Sequence, residues 1–139
     1  VTVASLRRKT AKGVPAEQVS EIVLVAGYGI EGDVNAGKPD RQVCLISAAS
    51  SRAREPDGLC SPRFQANLET DGAPSEGWTV GSRWRASGAV IEIVRAGKDC
   101  YPECAVFGRS GPCALARECA FAAVVGGGTV RVGDYFRPL

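Results

Sequence analysis

Short runs rich in valine and isoleucine alternate along the whole chain with segments that carry glycine or proline. The runs TVASL (2–6), EIVLVA (21–26), QVCLI (42–46), RWRA (83–86), AVIEIV (89–94), FAAVV (121–125) and TVRVGDYF (129–136) each predict a strand. AVIEIV alternates only in part, so this strand is expected to be buried on much of both faces. GGGT (126–129), lying between two such runs, predicts a hairpin turn. Helical signals are few. SAASSRAREP (47–56) is the best, with Ser47 as N-cap and Pro56 as stop. A second, shorter helix is predicted around 113–117.

Many short strands with few helices predict a mainly β protein, a barrel or sandwich rather than a doubly wound α/β sheet. GYGIEGD (27–33) is rich in glycine but does not open a βαβ unit, so it is not read as a nucleotide-binding loop. The turn-rich stretch 69–81 is an exposed connection and too short to divide domains, so residues 1–139 are expected to form a single domain.

Composition changes this picture little. The chain has 139 residues, 45% of them hydrophobic and 23% charged, which suits one domain with one core. A net charge of +2 makes no case for a polyanionic partner over the whole surface, though a local anion pocket stays open. Two tryptophans without basic–aromatic interleaving argue against nucleic acid. The longest apolar run, IVLVA (22–26), is too short to cross a bilayer, and the basic first residues hold no long apolar stretch. A cytoplasmic protein without membrane partners is therefore expected.

Candidate chemistry lies in GKDCYPECAVFGRSGPCALAREC (97–119), which holds four of the six cysteines in a chain with no histidine. Without histidine, Ser-His-Asp and Cys-His pairs are excluded within one chain. Structural disulfides are disfavoured in a reducing compartment. Two readings remain open for the C-x3-C-x8-C-x5-C pattern. Cys100, Cys104 and Cys113 could ligate zinc or an iron–sulfur cluster, although the spacing is not that of a zinc knuckle. Alternatively, Cys100 is a reactive thiolate at the end of the 89–94 strand. Lys98 and Arg95 would favour its anion, Asp99 would oppose it, and Cys104 and Cys113 would be resolving thiols. Cys44, inside a predicted strand, reads as inert core, and Cys60 carries no readable role.

Lys38, Arg41, Arg63, Lys98 and Arg117 are candidate anion binders. Asp33 would either cap backbone amides of its loop or pair with Arg41, and Asn67 is structural or ligand-facing.

These motifs resemble the MOSC domain, named for the C-terminal domain of molybdenum cofactor sulfurase. GYGIEGDVNAG (27–37) is similar to its glycine-rich GD motif, RQVCLIS (41–47) to its RQV strand and FQANLETDG (64–72) to its F-x-x-N-L-x-T-x-G motif. VGSRWRASGAVIEIVRAGKDC (80–100) resembles the strand pair leading to the family's most characteristic cysteine, and GGGTVRVGDYF (126–136) its closing hairpin. Asn35 stands where the family's G-D-x-H has histidine, and Ala66 where its F-x-E-N has glutamate. Cys119 stands where the resembling subgroup often has glycine.

The resemblance implies a closed or partly closed β-barrel and a role in sulfur or molybdenum chemistry. Cys100 would carry sulfane sulfur as a persulfide, or ligate molybdenum of a pterin cofactor held by Arg41, Asp33, Asn67 and Arg117. The implied partners are a cysteine-desulfurase-type sulfur donor or molybdenum-cofactor proteins. The implied activity, if catalytic, is sulfurtransferase-like or dependent on the molybdenum cofactor.

Overall fold

The structure, a computed structural model, describes residues 1–139. All seven predicted runs contain strand. They are β1 (Thr2–Arg8), β3 (Glu21–Val25), β5 (Val43–Ser47), β7 (Arg83–Ala86), β8 (Ala89–Ala96), β9 (Ala120–Gly126) and β10 (Gly128–Arg131). Four more were not predicted: β2 (Glu17–Val19), β4 (Gly29–Ile30), β6 (Leu68–Asp71) and β11 (Arg137–Pro138). Helix α1 (Ala48–Arg52) starts where expected, with the Ser47 hydroxyl accepting from the Ser50 amide, but it ends at Ala53, before Pro56. Helix α3 (Ala114–Glu118) matches the second prediction, and α2 (Ala105–Ser110) was not foreseen. No helix is long and apolar enough to cross a membrane.

The strands form an eight-stranded sheet in the order β11-β7-β8-β9-β5-β6-β1-β2 and a three-stranded sheet in the order β10-β3-β4. The large sheet curls into a partly closed barrel. Its two ends are tied together by residues 132–136, which run into β11. The Val3 amide donates to Asp134, and the amides of Gly133 and Phe136 donate to Val3 and Val1. Such closure removes one exposed edge.

Inward-facing residues from both sheets, including Leu6, Ile22, Leu24, Leu45, Ile91 and Phe136, fill one core. Trp78 and Trp84 meet edge to face in it, with centroids 5.1 Å apart, an arrangement that contributes about 1 kcal/mol beyond area burial.

The GGGT segment is not a hairpin turn. β9 pairs with β8 and β5, whereas β10 pairs with β3 in the other sheet. The glycines turn a corner between sheets and are needed for close approach. A Cβ on Gly127 would lie 3.0 Å from the Leu24 carbonyl oxygen, and one on Gly128 would lie 3.0 Å from the Ala89 nitrogen.

Two features position the cysteine-rich segment. The β8–β9 register shifts between Ile93 and Arg95, a bulge of the kind that bends a strand and re-aims its side chains. Beyond β8, Gly97 has φ +76°, its amide donates to the Cys119 carbonyl at 2.6 Å, and the Lys98 amide donates to the Ala116 carbonyl at 2.9 Å. The chain leaving β8 is thereby fastened to α3.

Candidate functional site: a thiol between a basic cleft and a narrow cleft

From that fastening the chain delivers Cys100 to the boundary between two clefts, and both Cys100 and Lys98 line each of them. The larger has a volume of about 770 Å³. Its cations arrive from four parts of the chain. Lys9 and Lys12 follow β1, Lys38 and Arg41 precede β5, Arg63 precedes β6, and Arg95 and Lys98 come from the end of β8. Only Asp40 and Asp99 bring carboxylates. They pair loosely with the cations, Asp40 with Arg41 at 3.8 Å and Asp99 with Arg95 at 3.2 Å. Exposed pairs of this kind contribute little, so the cleft keeps an excess of positive charge. Phe64, Tyr101 and Phe121 supply aromatic surface, and the Lys98 ammonium lies 5.2 Å from the Phe64 ring centroid.

The second cleft is narrow, about 10 Å³, space for roughly one water. Cys60, Cys100, Cys104 and Cys113 all line it. Cys104 stands at the N-cap of α2 and is buried. Its sulfur accepts the Leu59 amide at 3.4 Å. That hydrogen bond, with smaller help from the Phe107 and Val106 amides, holds the Cys104 thiol below its ordinary pKa. The loop facing it is well anchored. The Arg54 guanidinium donates to the carbonyls of Ser51, Ser61 and Phe64. Arg109 of α2 grips Asp57 through two hydrogen bonds, at 2.6 and 3.0 Å. Gly58 completes the contact, since a Cβ there would lie 3.7 Å from Val106.

The six cysteines are all free thiols. Cys44 and Cys119 are buried with Ile46, Ala66 and Leu115 in a small second core; Cys44 also touches the wall of the basic cleft, and Cys119 lines neither cleft. Burial pushes the Cys119 thiol up to about 11, and it raises that of Cys44 further still. Both behave as the small apolar residues expected of Cys44 from sequence. Ala66, at the position of the family's glutamate, is part of the same core. Asn35, at the position of the family's histidine, faces the basic cleft and accepts from Lys38.

The remaining expected residues divide. Arg41, Lys38, Arg63 and Lys98 meet in the basic cleft, but Arg117 lies outside it and donates to the Pro112 carbonyl. Asp33 is buried and accepts from the Lys9 and Asn35 amides and from Asn67; it does not pair with Arg41. Asn67 also accepts the Cys44 amide and donates to the Arg7 carbonyl. Asp33 and Asn67 thus fasten β1, β5 and the GD loop, and their polar atoms are spent inside the protein. No group of three or more Cys, Asp or Glu side chains is gathered in a way that could hold a metal ion, so Cys100, Cys104 and Cys113 share a cleft without forming a ligand set.

Sequence reasoning missed Lys9, Lys12, Phe64, Tyr101 and Phe121. The basic run RRKTAK (7–12) was the available signal for the first two.

A sequence profile of the MOSC domain matches residues 32–137. Among solved structures, the chain is similar to the YuaD protein from Bacillus subtilis, with 19% identity, 97% of this chain and 93% of that chain covered, and a TM-score of 0.67. It is also similar to YiiM from Escherichia coli, with 21% identity, 100% of this chain and 70% of that chain covered, and a TM-score of 0.66. At such identities the likeness concerns the fold. No curated protein matches the chain in sequence.

Proposed function

The chain belongs to the MOSC domain family, and from that premise we propose that it handles sulfane sulfur, with Cys100 as the carrier. The observation that supports this reading best is the place of Cys100, half-exposed on the wall common to a basic cleft and a cleft lined by three further thiols. The Cys100 thiolate attacks the outer sulfur of a donor persulfide, such as that of a cysteine desulfurase. The donor thiolate leaves, and Cys100 becomes a persulfide. An acceptor bearing phosphate or another anion binds in the basic cleft, where arginine forks suit phosphate oxygens. Lys98 lies on the same wall and offsets the negative charge that develops on sulfur. Cys104 and Cys113 are the nearby thiols able to resolve the persulfide.

One observation favours a second reading. A cleft of about 770 Å³ with seven cations and three aromatic rings fits a molybdenum–pterin cofactor, whose phosphate Arg41, Arg63 and Lys98 would hold and whose metal Cys100 would ligate. When bound, that group supplies two-electron redox chemistry. This chain's own contribution is to seat the anion and present the thiolate. The zinc and iron–sulfur readings have less support, because such sites need convergent ligands and no such set is gathered here.

Anaerobic purification followed by elemental analysis and intact mass separates the readings. A mass gain of about one sulfur atom, removed by dithiothreitol and absent from Cys100→Ser, supports the carrier. Sulfur loading that persists in Cys100→Ser refutes it. About one equivalent of molybdenum instead selects the cofactor reading.

A further inference from the structure

Cys60 had no readable role in the sequence, yet the structure sets it in the narrow cleft beside Cys104. The Leu59 amide, one residue before it, donates to the Cys104 sulfur at 3.4 Å. Successive turns then fold the backbone around Cys60. The Ser61 amide donates to Gly58, and the amides of Arg63 and Phe64 both donate to Cys60. The loop is pinned to α2 by Arg109–Asp57 and to α1 by Arg54. Cys60 is half-buried and lines the cleft together with Cys104. Cys113 lines the same space from the start of α3, but no hydrogen bond joins its segment to the Cys104 sulfur.

We propose that Cys60 and Cys104 form a dithiol–disulfide couple that discharges the sulfur carried by Cys100, an inference that rests on the carrier reading above. The Cys104 thiolate attacks the outer sulfur of the Cys100 persulfide. A new S–S bond forms at Cys104, the bond to Cys100 breaks, and the Cys100 thiolate leaves. The Cys60 thiolate then attacks the inner sulfur of the Cys104 persulfide, forming the Cys60–Cys104 disulfide and expelling hydrosulfide. The two thiols supply two electrons, and the sulfane sulfur is reduced to sulfide. A cellular dithiol reductant returns the couple to the thiol state. The size of the cleft, about one water, matches a leaving group as small as hydrosulfide.

The test has two arms. In the first, reduced protein is given one equivalent of glutathione persulfide, sulfide is measured, and disulfides are mapped by mass spectrometry. The expected result is roughly one sulfide and a Cys60–Cys104 linkage. Cys60→Ser is expected to retain the persulfide and release sulfide roughly tenfold more slowly, while Cys119→Ala, altered in the second core and lining neither cleft, behaves as wild type. Wild-type release from Cys60→Ser, or a dominant Cys100–Cys104 linkage, overturns the couple. In the second, Cys100→Ser is oxidised with diamide, which needs no sulfur carrier. A Cys60–Cys104 disulfide is expected, and its absence overturns the couple whatever Cys100 does. Its presence, with a Cys60→Ser protein that glutathione persulfide never loads with sulfur, leaves the couple standing and removes the carrier reading.

Discussion

Replacing Gly97 by alanine tests how the end of β8 is held, and so how Cys100 is placed. Two costs combine. Gly97 has φ +76°, where an L side chain costs about 1–2 kcal/mol. An added Cβ would also lie 2.9 Å from the Ala116 carbonyl oxygen, a backbone atom that cannot swing away. Relief requires α3 to move from the chain, stretching the Gly97–Cys119 and Lys98–Ala116 hydrogen bonds, each worth about 1 kcal/mol net. The expected loss is about 3–4 kcal/mol, or a fall in Tm of roughly 10 °C.

Gly13→Ala is the control, because Gly13 has φ +83° but nothing within 4 Å of its Cβ position. It should lose only the backbone cost, about 1–2 kcal/mol. Urea titration of both variants measures the difference. If the two losses agree within about 0.5 kcal/mol, the close packing of Gly97 on α3 is not what holds this turn.

The other expectations concern the groups around the site. Cys119 keeps its proton to about 11 when folded and to 9.0 ordinarily. Between these values the folded state binds more protons than the unfolded, so stability falls as pH rises. The loss is about 2 kcal/mol, and Cys119→Ala should show a shallower decline over that window in denaturant titrations at stepped pH. An equal slope would mean that Cys119 is not kept neutral by burial. Asn67→Ala leaves the buried Cys44 amide without its partner and removes one of the two donors to Asp33 Oδ1, the Lys9 amide remaining, and should cost about 3 kcal/mol by urea titration. A loss under about 1 kcal/mol would place Asn67 among the dispensable surface amides. Cys100→Ser should keep the wild-type melting temperature while losing sulfur loading, because its side chain is part-exposed and belongs to neither core cluster.

Much of this protein was decided locally. The strands of five or more residues were legible because their apolar positions recur often enough to show a period and glycines mark their ends. β2, β4 and β11, of three, two and two residues, are too short for any period, and they exist because a neighbouring strand offers hydrogen bonds. β6, LETD, owes its state to pairing with β1 on one side and β5 on the other. Helix α2 was missed for a similar reason. Its sequence, AVFGRS, is a weak helix, and burial of Val106 with the Arg109–Asp57 clamp holds it in place. GGGT was misjudged because a glycine signal reports permissive backbone, not which strand comes next.

The site divides along the same line. The nearness of Lys98 to Cys100, the burial of Cys44 and the capping role open to Asp33 follow from short-range sequence, since covalent spacing alone brings those groups together. The basic cleft does not. Lys9, Lys38, Arg63 and Lys98 are distant in sequence and meet only because the sheet brings their connecting segments to one place. Cys60 shows the contrast most plainly. Its sequence neighbours carry no chemical signal, and only tertiary contacts, the Leu59–Cys104 hydrogen bond and the Arg109–Asp57 and Arg54 anchors, bring it to a thiol cleft. The residue types and their local conformations were written in the chain. Which of them face one another depended on pairing between strands distant in sequence, which no local window of the chain contains.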